Sequence, residues 1–86
     1  MVRSEYRVSE ASRPVLRPYE TLPLNDPRRI ELFSFLASVV AEPRRADFEQ
    51  DAQGLRWTWL EHVALVWRQD LVAREIDVIY AWDELS

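Results

Sequence analysis

The chain has 86 residues, no cysteine and a net charge of −4, with eleven basic residues, all of them arginine, against fifteen acids. That length makes one domain near the low end of the usual range, with no disulfide to hold it and no thiol for catalysis or metal binding. A net acidic chain without a basic block argues against nucleic acid as a partner, because such binding draws its affinity from neutralised phosphates.

The charge is uneven: residues 1–26 are neutral, whereas residues 55–86 carry three arginines against six acids. The first residues, Met1 to Arg7, are charged with no apolar run behind them, so no signal peptide is expected. No apolar stretch reaches the length of a membrane span, so no membrane partner is expected either. Together with the absence of cysteine, this places the chain in the cytoplasm.

Residues 1–26 contain Pro14, Pro18 and Pro23, which remove backbone donors and disfavour a helix. The segment reads as an extended N-terminal arm, with a weakly alternating stretch at Glu5–Ser9 and with Tyr6, Leu16, Tyr19 and Leu22 as anchors against a partner. A helix comes next. Asp26 is placed to cap it, Pro27 suits its first position, and Glu42-Pro43 ends it, so the expected span is 27–41. Its apolar residues, Ile30, Leu32, Phe33, Phe35, Leu36, Val39 and Val40 among them, cover most of the cylinder, so the helix needs enclosure nearly all round.

Residues 46–57 allow either a short polar helix or a small hairpin, Asp47–Gln50 against Leu55–Trp57, turned at Asp51–Gly54; the hairpin is preferred. Gly54, the single glycine, falls where a positive φ is needed in both cases. Thr58-Trp59-Leu60-Glu61 matches a capping box, and no Gly or Pro interrupts the chain from there to its end, so a second helix is expected over about 59–84. A strand reading competes, because Ile76, Val78, Tyr80 and Trp82 alternate. The expected fold is therefore mainly α: two principal helices in a single small domain over 27–86, preceded by the arm 1–26.

No catalytic chemistry is expected. One histidine, His62, and no cysteine do not build a zinc site, and Asp47, Glu49 and Asp51 lack the loop that calcium needs. Glu61 and His62 are adjacent on the expected helix, so they diverge and do not orient each other. The single glycine rules out a glycine-rich phosphate loop. No metal, no cofactor and no enzyme activity are expected.

The aromatic load carries more information: four Trp, three Tyr and three Phe in a chain this short. Trp59 and Trp67 read as core, whereas Trp57 and Trp82 sit beside charged residues near element ends. Trp, Tyr and Arg dominate binding hot spots. The expected protein-binding residues are Trp57, Tyr80, Trp82, Phe35, Tyr19, Leu22 and Arg56. The leading function is a non-enzymatic protein–protein interaction module, an adaptor or small structural subunit, bound to another protein or to its own copies. The alternative is a small acidic inhibitor, such as an immunity protein, antitoxin or phage anti-defence factor, that occludes a basic site on its target.

Overall fold

A computed structural model describes residues 6–42 and 54–83. In chain order these form β1 (Arg7–Val8), a 3-10 turn (Glu10–Ser12), α1 (Arg13–Glu20), α2 (Pro27–Ala41), β2 (Arg56–Trp59), β3 (Val63–Asp70) and β4 (Glu75–Asp83). The strands make one mixed sheet in the order β1-β4-β3-β2, with β1 parallel to β4 and the other pairs antiparallel. The two helices pack on one side of it. The architecture is α/β, which corrects the mainly α expectation.

The largest correction concerns residues 59–84. In place of one helix, β3 and β4 form a hairpin, paired from Val63↔Asp83 to Asp70↔Glu75 with a bulge at Val66/Trp67. The alternation of β-branched and aromatic residues prevails over the capping box because every second side chain has a core to enter. Val63, Leu65, Trp67, Ile76 and Val78 are all buried against the helices. Thr58 caps nothing; its hydroxyl accepts a hydrogen bond from the Trp67 indole at 2.9 Å.

The N-terminal segment is also not an extended arm. Residues 13–20 are helical, with Pro14 in the first turn, where its missing N–H is no loss. Pro18 forfeits one helical bond, but Leu16 and Tyr19 are buried in the core and hold the turn in place. The segment is tied to the last strand at its start, through Arg7 N–H to the Arg74 carbonyl at 3.2 Å and Ser9 N–H to the Ile76 carbonyl at 3.0 Å. Buried Ser12 completes the junction, its hydroxyl accepting the Val78 N–H at 2.8 Å and lying 2.9 Å from the Ser9 hydroxyl.

Helix α2 has the expected bounds. Asp26 accepts the Arg28 N–H at 2.9 Å as its cap, and Pro27 occupies the first turn. Leu32, Leu36 and Val39 are its buried stripe, at helical spacing against the sheet. Phe33 and Val40 pack partly against the core and line the groove beside α1, so the surplus apolar surface of this helix is shared between sheet and α1. Most of the hairpin expected at 46–57 lies outside the described residues. Its last part is β2, and Gly54 has the expected positive φ, at 81°.

Candidate functional site

Strand alternation sorts the aromatics. On the side facing α2, Trp67 is fully buried, its ring edge-on to Phe35 with centroids 5.8 Å apart and the Arg56 guanidinium 5.3 Å over its ring. On the opposite side, over which neither described helix lies, register places Trp57 beside Val66 and Tyr80, and Trp59 beside Ala64 and Trp82. Four aromatic side chains thus stand on one face. Trp57, Trp59 and Tyr80 are 45%, 68% and 60% exposed, and Ala64 and Val66 form a buried floor between them. Trp59 and Trp82 meet nearly edge to face at 5.3 Å and 85°, and Tyr80 lies 5.4 Å from Trp82.

The three exposed rings present roughly 400 Å² if each carries about 250 Å². The largest apolar patch on a typical monomer is of this size and often functional, and it covers about half of one side of a standard interface. Polar groups rim it. Arg68 is held at 3.0 Å by Asp77, whose carboxyl is lowered by a Ser9 hydrogen bond, which together with Arg68 outweighs its desolvation. At the other end the β2–β3 turn carries Glu61 and His62. A second exposed apolar feature, Leu71-Val72, tops the β3–β4 turn, where Asp70 accepts the Val72 and Ala73 N–H groups at 3.0 and 2.9 Å.

The turn bearing Glu61 and His62 is fastened from the helix layer. Glu31 of α2 accepts the His62 backbone N–H at 2.7 Å and faces its Nδ1 at 2.5 Å. The hydrogen bond to Glu31 raises the His62 pKa above its ordinary value against the opposing effect of desolvation. Desolvation pushes the Glu31 carboxyl up, but the bonds from His62 and Val63 outweigh it, and the net direction is down. His62 is therefore a structural latch in the β2–β3 turn, where a helix was expected. Ligand atoms of Glu31, Glu61 and His62 lie within 4.8 Å of one another, so these three side chains could reach a metal ion, at the expense of the latch.

A second polar knot closes the far end of β4. Arg28 pairs with Asp26 at 2.8 Å and with Asp83 at 3.6 Å, and Tyr19 is pushed up in pKa by burial and by Asp83. The Arg28 hydrogen bond carries the Asp26 carboxyl down to about 2. On the helix side, a groove of about 460 Å³ runs between the 3-10 turn, α1 and α2, floored by Leu16, Phe33 and Leu36 and rimmed by Glu10, Arg13 and Glu20. Glu10 and Arg13, one turn apart on its rim, pair at 3.6 Å.

Of the seven residues singled out from sequence, the fold brings Trp57, Tyr80 and Trp82 together on the open face. Tyr19 is buried, Leu22 and Phe35 pack against the core, and Arg56 covers Trp67 on the helix side. Trp59, read as core, belongs to the open face; its period-two spacing from Trp57 was the signal that placed it there. Among the described residues, no helix is long and apolar enough to cross a membrane.

No family model matches the chain, and no curated relative does. Among solved structures it is similar to a chain of the toxin–antitoxin complex RelBE2 from Mycobacterium tuberculosis, with a TM-score of 0.60 and 19% identity over 100% of this chain and 97% of that one. At that identity the likeness concerns the fold.

Proposed function

We propose that the chain is the non-enzymatic, acidic member of a two-protein pair of the toxin–antitoxin kind, binding its partner through the aromatic sheet face and occluding a basic surface there. The observation that carries this reading is the open face itself, where Trp57, Trp59, Tyr80 and Trp82 gather on a strand surface that neither helix covers. The net charge of −4 supports a basic target and electrostatically steered encounter. The likeness in fold to a chain of a toxin–antitoxin complex supports a two-protein arrangement.

Trp82→Ala is expected to weaken partner binding by about 2 kcal/mol or more while the fold persists, as truncation of a hot-spot residue does. The test is affinity capture with the wild-type chain and with Trp82→Ala, followed by co-expression of the captured protein with each. Loss of both capture and protection from growth arrest in the variant supports the reading. Growth arrest on expressing this chain alone would assign it the opposite role in the pair. Capture of a non-toxic assembly would make it a structural subunit.

A further inference from the structure

We propose that the corner between Trp59 and Trp82 receives one arginine side chain of the partner protein, an assignment that rests on the aromatic face being the binding surface. The corner is a small cavity of about 50 Å³, lined by Trp59, Trp82, Ala64 and the Glu61-His62 turn. Metabolite sites are several times larger, at about 300–1,000 Å³, so the space suits a single side-chain head group. Its two walls are indoles at 85° with centroids 5.3 Å apart. Aromatic faces carry negative charge density and attract cations, tryptophan most strongly.

The polar wall has the same sign. Glu61 lines the cavity, and Glu31, which does not, adds a second carboxylate within 4.8 Å of Glu61 and His62. Protonated or neutral, His62 leaves that turn net negative. Glu31 is already committed to the His62 N–H and Nδ1, whereas among the described residues no ion pair engages Glu61. A cation entering the corner would therefore find a carboxylate free to receive it.

Arginine fits better than lysine because a planar guanidinium stacks on one indole while its N–H edge faces a carboxylate. The site is held open in advance. The Glu31 latch fixes the turn, and Leu60 N–H to the Val63 carbonyl at 2.8 Å closes it, so little ordering remains to oppose binding. An acidic protein that meets a basic surface would thus have one defined anchor point at the edge of its aromatic face.

The full chain with 15N-labelled tryptophan can be titrated with Nα-acetyl-arginine amide while the four indole N–H signals are followed. Trp59 and Trp82 are expected to shift together and saturate with a Kd of roughly 1–10 mM, the affinity of one anchored side chain. Trp67, buried and bonded to Thr58, serves as the internal reference and should stay fixed. Nα-acetyl-norleucine amide, similar in length but uncharged, should give less than about a tenth of the effect, and Glu61→Gln should weaken arginine binding about fivefold.

Equal shifts with norleucine, no saturation, or an unchanged Kd in Glu61→Gln would overturn the assignment. The two readings fail separately. If arginine does not bind but Trp82→Ala still abolishes partner capture, the aromatic face remains the interface and the corner is no arginine receptor. If arginine binds and no captured protein depends on Trp82, the receptor exists and the interface reading falls.

Discussion

The division of the tryptophans between core and open face predicts a sharp difference in stability between two alanine variants. Trp67 is fully buried, so Trp67→Ala removes about 150–250 Å² of apolar contact, or roughly 4–6 kcal/mol at about 25 cal/mol per Å². Cavity-forming Trp→Ala changes fall at about 3–5 kcal/mol. The edge-on contact with Phe35 and the Thr58 hydrogen bond disappear with the ring. A domain of 86 residues has about 4–13 kcal/mol in all, so this variant should lose roughly a third of its stability or more. Trp59 is 68% exposed, which leaves about 50–80 Å² to lose, or about 1–2 kcal/mol. Urea unfolding followed by far-ultraviolet circular dichroism reads the contrast. With a slope near 1 kcal/mol/M, Trp59→Ala should lower the midpoint by no more than about 2 M. Equal destabilisation by the two variants would refute the assignment of Trp59 to an open face.

Ser12→Ala should cost about 1–3 kcal/mol, because it strands the buried Val78 N–H that the hydroxyl accepts at 2.8 Å; thermal unfolding measures it, and a neutral result would remove the junction between the N-terminal segment and β4 from the stability account. The Glu31–His62 latch should make stability depend on pH in a defined direction. The folded-state pKa of His62 is raised above 6.5, so its contribution is fully present below about 6.5 and is lost as pH rises through the folded value. Glu31, lowered from 4.5, contributes above that value and loses its contribution as pH falls through the folded one. Urea midpoints should therefore decline on both sides of this window, and Glu31→Gln should flatten the alkaline limb. Asp26, held near 2 from an ordinary 3.8, stabilises the fold above about 3.8 and ceases to do so as pH falls towards 2; Asp26→Ala should shift the acid-unfolding midpoint towards neutral pH.

Helix α2 was legible to the residue, because its signals are local: Asp26 and Pro27 set its start and Glu42-Pro43 its end. The other elements are decided by contacts between residues far apart in the chain. Residues 13–20 look broken by proline until Leu16 and Tyr19 have a core to enter, and that core is supplied by β4, more than fifty residues away. The capping-box pattern at Thr58–Glu61 is real in sequence and idle in structure, since the Thr58 hydroxyl is taken by Trp67. The contact between His62 and Glu31 was not legible because the two residues belong to elements far apart in the chain. Trp57, Tyr80 and Trp82 were found as binding candidates by composition alone, but their gathering on one face comes from strand register, which a helical reading of 59–84 could not supply.

The open face also bears on why so small a domain carries four tryptophans. A one-sided sheet leaves the other face wet, and the usual solution is polar residues outward. Here the outward positions next to the Ala64–Val66 floor are aromatic, and each ring shields part of that floor: both residues are only 6% exposed although neither described helix lies over them. Rings therefore do on this side what helices do on the other, at the cost of presenting their own faces to water. Charge at the rim, from Arg68–Asp77 at one end and Glu61 at the other, limits indiscriminate stacking of such surfaces. Glu61→Gln should therefore promote concentration-dependent self-association without unfolding, visible by light scattering after size-exclusion chromatography. A variant that stays monomeric up to about millimolar concentration would mean that the rings, not this charge, already keep the face from pairing with itself.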